Sequence, residues 1–294
     1  MLRFASLLVA LWRACAAPLE LGAVPPLGER TVMRSGADNF QLFLPQSWRR
    51  GAKHPMLIFL HGSGDGPFDV MNSQSLPRLL SRDQSTAFDA APAWTFTFDG
   101  RFYSNATFAS ECGFVVLMPQ GWLFQERGGW SHDRLDAVQT LATKVAEAYD
   151  VDPDRISLAG QSAGGVGAYA FALRFPRFLA ALVVVCGAVP VRLETAAQRL
   201  AGLPVWVFHG ADDVAMPVDL ADGAVAVLGK AKDRIAPVRY TRYAHAPAPP
   251  DPRYSDMTGH ASYDLAFRDA ELYAWLKAQS RATHPHAGER RHVT

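Results

Sequence analysis

No stretch of this sequence reaches the roughly 18 consecutive apolar residues that a membrane-spanning helix requires, so stable insertion into a bilayer is not expected. Charge of one sign is missing as well: 29 Lys and Arg stand against 28 Asp and Glu, a formal net charge of +1. That balance gives no electrostatic case for nucleic acid or an anionic lipid surface as partner. Cysteine is scarce. Cys15, Cys112 and Cys186 are too few for a disulfide framework. Cys112 stands just before one strand-like run and Cys186 just after another. That places them at opposite edges of a parallel sheet, beyond the Cα separation of about 7 Å that a bridge tolerates. Both are expected to be free and unreactive. No His, Cys or Asp cluster has the spacing of a metal site, and no G-x-G-x-x-G fingerprint announces a dinucleotide. No cofactor is therefore expected. Internal repeats and a linker between two cores are also absent, which implies one domain.

What is present is core material. Apolar residues make up 49% of the chain and charged residues 19%, the composition of a globular protein with a sizeable interior. The first 17 residues differ from the rest. Arg3 precedes an apolar stretch from Phe4 to Trp12, followed by Ala14-Cys15-Ala16-Ala17. A basic start, a short apolar run and small residues in A-x-A order read as a secretory signal peptide, although Arg13 interrupts the pattern. A short buried or frayed helix is the alternative. The first reading predicts a secreted or extracytoplasmic protein, the second a cytoplasmic one. Asn105-Ala106-Thr107 fits the N-glycosylation pattern, relevant only in a eukaryotic secretory route.

From residue 30 onward, β-rich runs alternate with helical periodicity. Arg30–Arg34 and Asn39–Leu44 read as an opening antiparallel pair. Met56–Leu60, Phe114–Met118, Leu182–Val185 and Val205–Phe208 are continuous apolar runs, as expected of strands buried on both faces; Ile156–Ala159, with Ser157 within it, is a further strand, and Val238–Tyr243 is the last. Leu135, Val138, Leu141, Ala142, Val145 and Tyr149 follow the three-and-four spacing of a helix that Ser131 or Asp133 would cap. Further helices are expected over Ala163–Arg174, Val218–Lys230 and Ala266–Ala278, with a short one near Ser75–Leu80. The alternation implies an α/β class with a mostly parallel sheet covered by helices on both faces. Residues 18–280 would form this domain, residues 281–294 a flexible tail.

Gly160-Gln161-Ser162-Ala163-Gly164 fits G-x-S-x-G. A nucleophilic serine at the apex of a tight strand-to-helix turn needs small residues two positions either side, where a side chain would collide with neighbouring elements. Here the motif follows the strand at Ile156–Ala159 and opens a helix, so Ser162 reads as a nucleophile. Serine needs a base, and the base needs an acid to orient it. His209-Gly210-Ala211-Asp212-Asp213 follows the strand ending at Phe208. Spacing from His209-Gly210 and from Met216-Pro217 favours Asp213 as the acid, with Asp212 as the fallback. For the base, His260 leads into the last helix, while His245 comes directly after the last strand; His260 is preferred. Backbone N–H groups of Ala163 and of Ser63, in His61-Gly62-Ser63-Gly64, are the expected donors to the substrate oxyanion. His61 and His209 each start a turn at a strand end and are expected to be structural. Trp122 and Trp130 either line the acyl or alcohol pocket or are simply buried beneath the loop.

These motifs resemble the α/β-hydrolase esterases of the poly(3-hydroxybutyrate) depolymerase, feruloyl esterase and phospholipase/carboxylesterase-like group, also labelled predicted peptidases. The resemblance rests on Leu60–Gly64, Phe114–Gly121, Trp130 through Val138, Asp152–Ile156 leading to Gly160–Gly165, Phe208–Pro217, and Gly259-His260 followed by Leu272–Leu276. It spans about residues 55–277. It implies a single α/β-hydrolase domain, a carboxylic ester hydrolase working through an acyl-enzyme on Ser162, and a small-molecule or polymer-derived ester as substrate. A serine peptidase of the same fold is the rival, and a binding protein on a hydrolase fold a more distant one. The sequence sets no oligomeric state. Two segments depart from the family pattern: the proline-rich 247–252 and the long 65–110. The latter carries Phe88, Trp94, Phe96, Phe98, Phe102, Tyr103 and Phe108 and is expected to cap the site.

Overall fold

The computed structural model describes residues 19–36, 38–63, 75–80, 105–120, 129–249 and 252–283. The proposed signal segment 1–17, Trp122, Gly64, most of 65–110 and the tail beyond 283 lie outside the described residues.

Nine strands form one sheet: β1 (Leu19–Glu20), β2 (Arg30–Ser35), β3 (Asp38–Phe43), β4 (His54–Leu60), β5 (Val115–Pro119), β6 (Val151–Gln161), β7 (Ala181–Val185), β8 (Val205–Gly210) and β9 (Val238–Tyr243). Their order is β1-β2-β3-β5-β4-β6-β7-β8-β9. β2 and β3 pair antiparallel and β3 runs antiparallel to β5, while β5, β4 and β6 through β9 are mutually parallel. The helices are α1 (Leu76–Leu79), α2 (Asn105–Glu111), α3 (His132–Ala148), α4 (Ala163–Arg174), α5 (Leu193–Arg199), α6 (Asp219–Gly229), α7 (Ser262–Ala266) and α8 (Ala270–Lys277).

The apolar runs of the central strands are continuous because both faces are covered. Side chains alternate between faces along a strand. On β4, Met56, Ile58 and Leu60 enter one core layer with α3 to α6, and Leu57 and Phe59 enter the other with α1, α2, α7 and α8. β7 divides in the same way, Leu182 and Val184 against Ala181, Val183 and Val185. On α3 the spacing read from the sequence is the buried stripe: Leu135, Val138, Leu141, Ala142 and Val145.

Four details differ from the sequence reading. The expected Ala266–Ala278 helix is broken into α7 and α8, because Asp269 leaves the helix and accepts the Glu271 N–H at 2.8 Å, capping a new one. β6 begins five residues earlier than its apolar run, with Pro153 beside a register irregularity against β4 where a missing donor is tolerated. The short elements β1, α2 and α5 have too little periodicity to show in sequence. Cys112 and Cys186 are free and buried as expected, but they do not lie at sheet edges. They flank the interior strands β5 and β7, at opposite strand ends, within one apolar layer. Burial pushes the Cys112 thiol up to about 12.

The described ends of the 65–110 segment pack on the sheet. Leu76 and Leu79 are fully buried, and Phe108 lies 4.6 Å from the Tyr273 ring between centroids. Among the described residues no helix is long and apolar enough to cross a membrane.

Candidate active site

β4 and β6 are neighbours whose onward connections leave in opposite directions, towards β5 and towards β7. In such a sheet, ligands bind in the crevice beyond the carboxyl ends of the strands at that reversal. Ser162 stands at the end of β6, as the residue preceding α4, with φ 53° and ψ −121°. A side-chain-bearing residue pays strain for a positive φ, and here the surroundings hold it. A Cβ on Gly160 would come within 2.1 Å of Gly164 O, and one on Gly164 within 2.1 Å of Leu60 O. The turn therefore closes only with glycine at both positions, which packs the start of α4 onto the end of β4. We expect Gly160→Ala to lower stability by about 3 kcal/mol, measured by denaturant unfolding, and to lower activity in the fraction that folds. A parent-like unfolding midpoint would show that the turn can relax.

The acid loop follows β8. Asp213 Oδ1 accepts the N–H groups of Ala215 at 2.9 Å and Met216 at 2.8 Å. Its Oδ2 lies 2.9 Å from His260 Nδ1 and 3.3 Å from His209 Nε2. Burial alone would raise the pKa of this carboxyl. The hydrogen bonding of His209, His260 and Met216 outweighs that and holds it well below the ordinary carboxylate range. Asp213 is thus an ionised, fully enclosed acceptor.

His260 arrives from the long connection after β9. That chain is tied to the acid loop by Val214 N–H to Thr258 O and Ala211 N–H to Tyr243 O, and to itself by Gly259 N–H to Ala246 O. Gly259 has φ +79°, and a Cβ there would sit 2.3 Å from the Asp212 carbonyl. Backbone contact between the two loops is what brings imidazole to carboxylate. His260 Nδ1–H faces Asp213, and its Nε2 accepts from Ser162 Oγ at 2.9 Å. A carboxylate only accepts, so the proton on Nδ1 and the lone pair on Nε2 follow from the geometry.

The structure therefore brings Ser162, Asp213 and His260 into one chain of contacts. It leaves the two fallback residues outside that chain. Asp212 accepts Ala246 N–H and meets His245 Nδ1 at 3.2 Å, with the His245 side chain 78% exposed. Ser63 is exposed at the end of the β4 loop. The preceding Gly62 is packed so close to Ser162 that a Cβ there would lie 3.3 Å from the serine Cβ. Neither Ser63 nor Ala163 N–H has an acceptor among the described residues. Trp130 is 9% exposed, donates to His61 O at 3.1 Å and lies edge-on to the His61 ring, with its indole against Gly167. It is buried in contact with the β4 loop at His61 and with α4 at Gly167. His61 Nδ1 also meets Gly62 O.

Two neighbours of this chain carried no such expectation. His209, read as a turn residue, touches Asp213. Cys186, read as inert, places its sulfur so that the ligand atoms of Cys186, Asp213 and His260 lie within 4.8 Å of one another. A metal there would need a thiolate. Burial, reinforced by the Asp213 charge, pushes the Cys186 thiol far up, and the other two groups are engaged with each other. The cluster fits a neutral thiol packed beside a hydrogen-bonded carboxylate and imidazole better than a metal centre.

The mixed sheet, its order and the serine at the β6–α4 turn together decide the architecture. The chain has the α/β-hydrolase fold. Solved structures agree. A thermostable esterase is 25% identical, with a TM-score of 0.60 over 86% of this chain and 63% of its own; the present chain thus spans less than two thirds of that protein's length. Esterases of Rhizomucor miehei share the fold at 13% identity and a TM-score of 0.50, covering 85% of this chain and 80% of theirs. A ferulic acid esterase of Anaeromyces mucronatus does so at 10% identity and a TM-score of 0.51, covering 82% and 88%. No protein-family model matches the sequence, and no curated protein matches it.

Proposed function

We propose that the chain hydrolyses carboxylic esters through an acyl-enzyme on Ser162. The observation that carries this reading is the unbroken contact line Ser162 Oγ, His260 Nε2, His260 Nδ1, Asp213 Oδ2, with both hydrogen-bonding steps at 2.9 Å. The 25%-identical thermostable esterase supports the same reaction class.

In the first half-reaction Ser162 Oγ bonds to the ester carbonyl carbon while its proton passes to His260 Nε2. The carbonyl π pair moves to oxygen. Asp213 remains ionised and stabilises the imidazolium that forms. The N–H groups of Ala163 and Ser63 would receive the oxyanion, each such donor being worth about 10²- to 10³-fold in rate. Collapse re-forms the carbonyl and breaks the bond to the alkoxy oxygen, which takes the proton from Nε2 and leaves as alcohol. Water then repeats the sequence: its oxygen bonds to the acyl carbon, its proton passes through Nε2 to Ser162 Oγ, and the carboxylic acid departs.

A direct test compares p-nitrophenyl esters with p-nitroanilide peptides on the purified protein. Esters should turn over, with a burst of p-nitrophenol approaching one equivalent per enzyme wherever deacylation is slower than acylation. Anilides should be slower by orders of magnitude, since an amine is the poorer leaving group. Turnover of peptides without turnover of any ester would reject the esterase reading in favour of a peptidase.

A further inference from the structure

The acid loop contains a side chain that the reaction above does not use. His209, the fifth residue of β8, is fully buried, and its Nε2 lies 2.8 Å from Met216 O and 3.3 Å from Asp213 Oδ2. A carbonyl can only accept, so Nε2 carries the hydrogen, directed at the closer Met216 O with the carboxylate beside it. The other nitrogen, Nδ1, is buried without a hydrogen-bond partner among the described residues. One edge of the ring is therefore spent on the acid loop, and the second nitrogen on nothing. The geometry points to His209 as a positioning residue that sets the aim and the strength of Asp213 on His260.

The argument is one of connectivity. Met216 N–H binds Asp213 Oδ1, and Met216 C=O is held in turn by His209. The 213–216 turn is thus clamped from its own strand, and the carboxylate inherits the orientation of the clamp. Oδ1 faces Ala215 and Met216 N–H, while Oδ2 faces His260 and the positive edge of His209. A donor beside Oδ2 draws density from the oxygen that His260 uses. Removing it leaves the carboxylate a stronger partner for the protonated imidazole, so His260 should hold its proton to higher pH. The other groups facing this pair are Cys186 at the end of β7, Ser162, and Tyr263 on α7, whose ring stands edge-on to His260. The side chain seen holding Met216 O is His209.

This inference rests on the triad reading, and its test separates the two. The glutamine amide nitrogen can occupy the place of histidine Nε2, the shorter asparagine amide only that of Nδ1, and leucine offers no donor. kcat, KM, melting temperature and the pH profile of kcat/KM on a p-nitrophenyl ester are measured for His209→Leu, His209→Asn and His209→Gln. We expect His209→Leu and His209→Asn to lose roughly tenfold in kcat with KM little changed, and the acid limb to move up by about half a pH unit. His209→Gln should restore most of both. If leucine prevents folding, the contrast between asparagine and glutamine decides. An unmoved acid limb in variants that merely melt earlier, or glutamine no better than asparagine, overturns the positioning role. Full activity in His260→Ala would instead overturn the triad on which it rests.

Discussion

Ser162→Ala is expected to reduce kcat by about 10⁴-fold or more and to abolish covalent labelling by a fluorophosphonate probe, while the melting temperature stays at the parent value. The size of the effect follows from what the hydroxyl does. In the proposed mechanism its oxygen is the atom that bonds to substrate, and the oxyanion donors and the binding surface left behind would account only for the residual rate over water. The fold should not notice the loss. Among the described residues Oγ makes a single hydrogen bond, to His260 Nε2, and alanine meets the same backbone constraint at φ 53° that serine does. Activity and stability are thereby decoupled, so a loss of both would mean that the substitution had disturbed the turn. Labelling of the alanine variant at unchanged stoichiometry would move the nucleophile elsewhere.

His260→Ala should be nearly as damaging, again about 10⁴-fold, whereas His245→Ala should stay within a few-fold of the parent. The two histidines face similar aspartates, which makes the comparison informative. His260 stands between a buried carboxylate and Ser162 Oγ; His245 meets Asp212 in solvent. An exposed pair of that kind contributes little. The pH dependence discriminates further. Asp213 is held ionised well below the usual carboxylate range, so only one group should titrate across the acid side of kcat/KM. Activity should rise with pH with a limiting slope of one. A slope of two would mean that Asp213 titrates in the same range. The sign for stability is equally definite. A carboxyl whose folded pKa is depressed stabilises the fold above the unfolded value of about 3.9, and that contribution is lost only as pH falls towards the folded pKa.

What the sequence determined by itself was short-range. Mostly apolar runs of four or five residues announced the strands, because burial on both faces leaves few polar positions to break them. Gly160 and Gly164 around Ser162 announced the turn, because two backbone collisions at 2.1 Å admit nothing larger. The elements that escaped notice have other causes. α2 and α5 are seven residues each, two turns at most, too short for a periodicity to stand out. The break between α7 and α8 comes from one aspartate choosing to cap rather than to continue the helix. Only the tertiary structure brings His260 rather than His245, and Asp213 rather than Asp212, into line with Ser162. Those choices depend on how the chain from Ala244 to Ala261 folds back on the acid loop, through a backbone crossing at Gly210 and Gly259 that no local pattern encodes. The same crossing explains why His209 read as an ordinary turn residue. Its partners, Asp213 and Met216, are only four and seven residues away, but its meaning depends on His260, 47 residues beyond Asp213. A side chain that acts through another is invisible until the second contact is made in space.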